Sequence, residues 1–374
     1  MFQFNFDIDE GIDEVMTTDL TANVPHAPAS GDVHDFSSTQ QTIAESFAEI
    51  SLDSLLDALP SQISHSPLSI PLSDGKELKL ARRDLFDARF QLISEGTGDP
   101  ETTEQASDQK INSALQFLDN PSDLVPLVYE GGLKTWECSL DLVSYLSSIG
   151  YSKNLGGKRV LELGCGTAVP TLYVLHEIFS SQPTTESDSH IHLQDYNASV
   201  LQLVTLPNII LTWYHSPAAD QYRNSESHEG SDSELNITPE LRDAFTTSLQ
   251  TYGIYLRFFS GSWDTFDLQS AGGKYNLVLT SETIYHPKSL PSLIRLMRDA
   301  CGTSLNEDTL DEGDHRCLCL VAAKTVYFGV GGGISEFIRC VGGMNGEQNL
   351  RGQVETVWEK LLGVSRKVMS VRWS

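Results

Sequence analysis

The stretch Val160 to Pro170, VLELGCGTAVP, runs an apolar strand into a glycine turn and then into an apolar helix. At such a junction the backbone of an α/β protein can approach a ligand closely, because Gly164 and Gly166 carry no Cβ. Glu162 stands where strand alternation asks for an apolar side chain, and a buried carboxylate needs a partner. That partner is a ligand ammonium on one reading and backbone amides that the carboxylate caps on the other. Asp195 closes a second strand, IHLQD, at the position from which a carboxylate accepts hydrogen bonds from ribose hydroxyls. An ordinary strand-end acid is its alternative.

A dinucleotide fingerprint would place a third glycine three residues after Gly166, where Val169 stands, so no pyrophosphate motif is complete. A Glu-x-Gly-x-Gly turn with an acid downstream suits a ligand that has a ribose and an amino acid but no phosphate. S-adenosylmethionine is such a ligand. Two further groups lie at strand ends. Gly261, Ser262 and Trp263 follow an apolar strand from Ile254 to Ser260, so that Trp263 is either a wall for a stacked adenine or a core residue. The continuous apolar run YNLVLT, Tyr275 to Thr280, delivers Ser281, Glu282 and Tyr285 to its carboxyl end. Trp136 and Tyr129, upstream of the first strand, carry the same ambiguity as Trp263, and Gly331 to Gly333 read as a turn rather than a lid.

The elements that must hold these residues follow from periodicity. Trp136, Leu140, Val143 and Leu146 share one face of a helix before the first strand. Crossover helices are expected over Val169 to Ile178, Ala198 to Trp213 despite Pro207, Pro239 to Leu249, Leu290 to Cys301 and from about Ile334. CLCLVAAKTVYF, from Cys317, is a fifth strand, and Gln353 to Trp358 with Arg366 to Trp373 form an antiparallel hairpin split by LLGVS. The sum is an α/β fold, a doubly wound Rossmann-like seven-stranded sheet closed by a C-terminal antiparallel hairpin. Asp195 lies farther from Gly164 than the roughly 20 residues of a compact βαβ unit, the surplus being the polar insertion from Ser180 to Asp188.

Three segments are expected: an acidic, mostly disordered extension over 1–75, an ordered segment and linker over 76–122, and the main α/β domain over 123–374. No Lys or Arg occurs from Met1 to Gly75, while acids, Ser, Thr and Pro recur. Two apolar patches interrupt the extension, MFQFNF at the start and Ile43 to Leu59, each able to dock on the core or on a partner. Its removal is expected to spare cofactor binding. Lys76 to Ile93 should be ordered, Ile111 to Leu118 a short helix, and Ser216 to Asn236 and Ser304 to Asp314 acidic loops.

Acidic residues number 51 against 25 basic ones, a formal charge of −26. Nucleic-acid phosphates would be repelled by such a surface, which favours a basic protein partner, although acidic tails also simply maintain solubility. The six cysteines contain no C-x-x-C and no metal-like cluster with His, so no metal is expected and the thiols read as reduced. An acidic N-terminus and no apolar run of the roughly 18 to 20 residues that span a bilayer point to cytoplasm or nucleus, with no membrane partner; a monomer is expected.

Several blocks together resemble the seven-strand class I methyltransferases, and within them the protein-histidine methyltransferases that modify a large-subunit ribosomal protein. They are VYEGGLKTWEC at 128–138, VLELGCGT at 160–167, LQDYN at 193–197, TLPNI at 205–209, SGSW at 260–263, LTSETIY at 279–285 and AAKTVYFGVGGGISEF at 322–337. The resemblance implies that Trp136, Glu137 and Cys138 touch the cofactor S-adenosylmethionine, with Glu162 and Gly164 at the glycine turn. It also implies Gln194, Asp195 and Tyr196 near the ribose, Gly261, Ser262 and Trp263 near the adenine, and Ser281 at the methionine end.

The chemistry so implied is an in-line displacement by an imidazole nitrogen on a methyl sulfonium, for which the protein supplies alignment and exclusion of water. One ring nitrogen must be unprotonated and the other oriented by an acceptor, for which Glu282, Tyr285 and Glu336 are candidates. Each is equally readable as a solvated or structural residue. A protein-lysine methyltransferase is the nearest alternative, since Glu282-Thr-Ile-Tyr285 loosely fits the acid-x-x-aromatic pattern of that branch. A non-catalytic acidic chaperone for a basic client is the other.

Overall fold

The computed structural model describes residues 45–96, 131–151, 155–183, 188–225, 233–302, 317–327, 332–343 and 352–373. Its main sheet is built on four strands, β4 (Arg159–Leu163), β5 (Ser189–Asp195), β8 (Leu277–Ser281) and β9 (Leu318–Lys324); β5 is mostly polar in sequence yet buried at all positions but His190, while β4, β8 and β9 are predominantly apolar. Strands of that composition must be covered on both faces, which parallel pairing with crossover helices achieves. β4 pairs in parallel with β5 and β8, β5 with β7 (Ile254–Ser260), and β8 with β9. The sheet is extended by β1 (Ala48–Ile50) beyond β7 and by β11 (Arg366–Trp373) and β10 (Gly352–Lys360) beyond β9, giving the order β1-β7-β5-β4-β8-β9-β11-β10.

Both faces are covered, and alternate residues of β4 show how. Val160 faces the core formed with α3 (Glu137–Ser148), α4 (Val169–Phe179), α5 (Leu206–Tyr214) and α6 (Pro239–Thr251). Leu161 and Leu163 join the other core, with α7 (Leu290–Cys301) and α8 (Ile334–Val341). α5 follows a short helix, Ala198–Val200, and a π-helical turn, Leu201–Thr205. The turn widens the helix just ahead of Pro207, whose nitrogen has no proton to give an α-helical ladder. The C-terminal hairpin is antiparallel as its alternation requires, with a bulge between Thr356 and Trp358, and β11 rather than β10 joins the parallel strands.

Two expectations need correction. The extension expected to be disordered as far as residue 75 is ordered from residue 45: β1 pairs with β7, α1 (Leu52–Asp57) follows, and β2 (Gln62–Pro71) pairs with β3 (Glu77–Arg83). Ile43 to Leu59 thus docks, from Glu45 onward, on its own core, burying Leu55, Leu56 and Leu59. Composition concealed β2 because Ser and Pro interrupt its alternation, yet Ile63 and His65 are buried on one face and Ile70 on the other. Pro67 is tolerated because β2 is paired there on the β3 side alone. The supposed loop from Ser216 to Asn236 likewise contains a short helix, Asp220–Ser225, and β6 (Glu234–Asn236), which completes a three-stranded sheet in the order β3-β2-β6. The Lys76 to Ile93 segment becomes β3 and α2 (Leu85–Gly96). The expected features at MFQFNF, Tyr129, Ile111 to Leu118, Ser304 to Asp314 and Gly331 lie outside the described residues.

Candidate active site

After Leu163 the chain leaves β4 with Gly164, Gly166 and Ala168 all at positive φ, at 61°, 52° and 59°, and reverses directly into α4. The space around the turn is closed. A Cβ on Gly164 would lie 2.6 Å from Cγ2 of Thr283, and one on Gly166 would lie 3.0 Å from the carbonyl oxygen of Gly132. Ala168 offers α4 no side-chain cap. The cap comes from Glu162, which accepts hydrogen bonds from the Thr171 amide at 3.0 Å and from the Thr171 hydroxyl. Of the two readings of Glu162, the structure has the capping one: the side chain is buried and does not line the cleft above the turn. Burial pushes its pKa up to about 8, against the two bonds from Thr171 that favour the charged form.

That cleft, of about 270 Å³, opens at the carboxyl ends of the parallel strands. On one side stand Asp195, the last residue of β5, and Tyr196 just after it, with Ser262 and Trp263 from the turn after β7. Asp195 accepts the Gly166 amide on Oδ2 at 3.0 Å and the Asn197 amide on Oδ1 at 3.1 Å, so its carboxylate is aimed by backbone. Gln194 is buried behind it. Its Oε1 accepts from the Gly164 amide at 3.3 Å and from the Trp263 indole at 2.7 Å, and its Nε2 donates to the Gly261 carbonyl at 2.8 Å. One amide side chain therefore ties the turn after β4 to the turn after β7. Gly261, at φ 105°, has no room for a Cβ, which would fall 2.4 Å from the carbonyl oxygen of Ser46. Residues just before β1 brace this turn: the Ser262 amide donates to the Glu45 carbonyl at 2.9 Å and the Phe47 amide to the Thr265 hydroxyl at 2.9 Å.

The opposite side is made by β8, β9 and the start of α3. Ser281, Glu282 and Tyr285 line it, with Trp136, Lys324 and Tyr327. Glu282 has a positive φ of 57°, an uncommon conformation for a residue with a side chain. The Tyr327 hydroxyl donates to its Oε2 at 2.6 Å. Its Oε1 lies 3.5 Å from the Lys324 ammonium, yet no donor is aligned on that buried oxygen. Lys324 is in turn 4.4 Å above the centre of the Trp136 ring and 3.9 Å from Glu137. The buried Cys138 thiol sits behind Glu282, its pKa pushed up by burial first and by that carboxylate second, and the Tyr327 phenol is pushed up for the same two reasons.

Gly164, Trp136, Asp195, Tyr196, Ser262, Trp263 and Ser281 therefore face the cleft directly. Glu137, Cys138, Glu162, Gln194 and Gly261 do not line it, and support residues that do. Glu282 and Tyr285 share the cleft; Glu336 leaves the candidate set, because it is outside the lining and its carboxylate pairs with Arg339 on the same helix. Sequence reasoning assigned no role to Lys324, Tyr327, Thr167 or Thr283, although the first two stand in the quoted AAKTVYFG block.

No family model matches the chain. Histidine protein methyltransferase 1 of Schizosaccharomyces pombe is 36% identical to it over 293 residues, covering 77% of this chain and 74% of that protein. The protein of the same name from Saccharomyces cerevisiae is 35% identical over 269 residues, 69% of this chain and 67% of the other. The chain belongs to the histidine protein methyltransferase 1 family. A Bos taurus homologue is 33% identical over 235 residues, 62% of this chain and 53% of its own length. As a histidine protein methyltransferase the chain is an enzyme that methylates protein histidine, and S-adenosylmethionine is its expected methyl donor. The lysine and chaperone alternatives give way to that membership. Among solved structures, magnesium protoporphyrin IX methyltransferase from Synechocystis PCC 6803 with bound SAH overlaps at a TM-score of 0.33 with 10% identity, over 76% of this chain and 94% of that one.

Proposed function

We propose that the cleft at the ends of β4, β5, β8 and β9 binds S-adenosylmethionine on its Asp195 side and receives the acceptor imidazole on its Glu282 side. The observation that carries the reading is the Asp195 carboxylate, fixed by two backbone amides at the rim of a glycine turn. Donor chemistry fits the residues present. Asp195 accepts from vicinal sugar hydroxyls, the Trp263 ring and Ser262 border a planar base, and Gly164 and Ser281 offer close backbone to the amino-acid end. Gln194, Gly261, Glu162, Glu137 and Cys138 hold those groups in place from behind.

When bound, the donor supplies a methyl group already activated by its sulfonium. The chain contributes placement and the electrostatics of the acceptor. An imidazole nucleophile must be neutral, with the proton on its far nitrogen held by an acceptor. The Glu282 carboxylate is that acceptor, since it lines the cleft between Lys324 and Tyr327, which hold it in place. As the ring gains positive charge, the carboxylate of Glu282 stabilises it. Lys324 offsets the same carboxylate beforehand, which keeps the free imidazole from being protonated on arrival. Tyr285 borders the acceptor from the same turn.

The substrate is a large-subunit ribosomal protein, and the role lies in ribosome biogenesis or translation, in cytoplasm or nucleus, with the enzyme acting as a monomer. A formal charge of −26 supports a basic client over bare nucleic acid. No helix among the described residues is long and apolar enough to cross a membrane. The test is incubation of the enzyme with labelled donor and an extract of cells lacking it, followed by mapping of the label. A labelled histidine in a large-subunit ribosomal protein is expected, with labelling reduced by Asp195→Ala. Label on a histidine of some other protein removes the ribosomal assignment, and undiminished transfer by the variant removes the cleft.

A further inference from the structure

The turn of the C-terminal hairpin is the feature of the surface that the reaction does not explain. Leu361, Leu362 and Val364 stand 69%, 83% and 53% exposed around Gly363, and Val326, on the segment that follows β9, is 54% exposed. Runs of exposed apolar residues are disfavoured in soluble proteins unless they bind something. The other large exposed apolar side chains of the described residues are isolated in sequence, apart from Phe86 and Phe90 one turn apart on α2.

Position gives the hairpin tip its meaning. Arg366, the first residue of β11, pairs in register with Lys324, the last of β9, so the turn projects past the carboxyl end of the sheet where the cleft opens. Thr325 is bonded to it twice: its amide donates to the Ser365 carbonyl at 2.8 Å, and the two hydroxyls meet at 2.9 Å. Residues on either side of that Thr325-Val326 link, Lys324 and Tyr327, line the cleft and contact Glu282. At about 3.3 Å per extended residue, Val326 is within two or three residues of the acceptor side of the site.

The platform is also firmly mounted. Arg366 makes a bidentate pair with Asp141 of α3, both side chains buried, and α3 begins beside Trp136 in the cleft. At the base of the turn Lys367 pairs with Glu359 at 3.5 Å and Arg366 with Asp141, so that the tip offers apolar contact beside the single positive charge of Lys360.

We propose that Leu361, Leu362, Val364 and Val326 form the docking surface for the protein substrate, receiving an apolar side chain that lies a few residues from the acceptor histidine. The proposal rests on the cleft being the transfer site. Its occupant is the substrate, because the enzyme acts on protein and the patch is continuous with the wall that receives the acceptor. Anchoring the flanking chain there converts delivery of the imidazole into an intramolecular step.

The test uses the full-length enzyme, labelled S-adenosylmethionine and graded concentrations of total protein from cells lacking the enzyme. In L361E/L362E, and independently in V326E, the protein concentration for half-maximal transfer should rise at least tenfold. The rate at saturation should stay within twofold, and donor affinity by calorimetry and the melting temperature should be unchanged. L361I/L362I should behave as wild type. An unchanged half-saturating concentration in both Glu variants overturns the proposal, and so does a dimeric wild type that becomes monomeric in them, because a second copy would then occupy the tip. If Asp195→Ala still binds donor and transfers normally, the cleft assignment has failed instead, and the two failures are told apart.

Discussion

On the side of the cleft formed by β4, β5 and the turn after β7, most of the shaping contacts end on backbone: Gly164 on Gln194, Gly166 and Asn197 on Asp195, Gly261 on Gln194, Ser262 on Glu45. On the side formed by β8, β9 and α3, side chain meets side chain, as Glu282 meets Tyr327 and Lys324, and Lys324 meets Trp136. A backbone frame is fixed by the fold itself and changes little on binding. A ring of long side chains around a strained Glu282 is adjustable, and its charges depend on one another. The division suits a reaction in which one ligand is always the same small molecule and the other is a residue of a large protein.

The sharpest way to break the backbone side is Gly164→Val. The left-handed φ and the Thr283 methyl 2.6 Å from the new Cβ should cost about 2 to 4 kcal/mol of stability and abolish donor binding in calorimetry. Asp195→Ala should weaken the donor by ~1 to 3 kcal/mol, the loss expected when hydrogen-bonding groups are left unpaired; an unchanged dissociation constant would remove Asp195 from the site. On the other side, Lys324→Met should leave donor affinity unchanged and slow transfer by about tenfold, or ~1.4 kcal/mol. The groups facing Lys324 are Glu282, Glu137 and the Trp136 ring, with Tyr327 on Glu282. Loss of its charge makes the site more attractive to a protonated imidazole, so the acidic limb of the pH profile should move to higher pH. A weaker donor in this variant would show that the two sides are not separable.

Glu162 tests the frame through pH. Its native pKa of about 8 is above the ordinary 4.5, so the native state keeps a proton that the unfolded chain has lost between those values. Its contribution is fully present below about 4.5 and is lost as pH rises through about 8. Glu162→Gln keeps an acceptor for Thr171 without the titration, so its stability should match wild type near the acid end and exceed it increasingly toward pH 8 in denaturant melts. Parallel slopes for the two proteins would contradict the buried, proton-bearing state. The smallest effect belongs to Trp263→Phe, which keeps a ring but loses the 2.7 Å bond to Gln194 and should weaken the donor by about 0.5 to 1.5 kcal/mol.

The same division marks what could be read without coordinates. The turn after β4, Asp195 at the end of β5 and the strands from Ile254 and Tyr275 follow from glycine spacing and apolar runs, which are local. Lys324 and Tyr327 were in view within AAKTVYFG but had no role, because their partners Glu282 and Trp136 lie far off in sequence. Glu336 looked eligible on type alone, although Arg339, three residues on along the same expected helix, already offered its carboxylate a local partner. β1 was hidden for a related reason: three residues of Ala48–Ile50 have no periodicity to detect, and β7 supplies the pairing that makes them a strand.

Sequence by itself determined the order of strands and helices in the α/β core, the glycine turn and the acids at strand ends, because each is a short-range consequence of Cβ sterics and of where apolar side chains recur. Tertiary structure alone decided that Glu162 caps a helix instead of facing the cleft, that residues 45 to 50 brace the Gly-Ser-Trp turn, and that the exposed Leu361 to Val364 tip stands at the carboxyl end of the sheet. Those outcomes depend on the register between strands far apart in the chain, which fixes which side chains meet and which remain exposed.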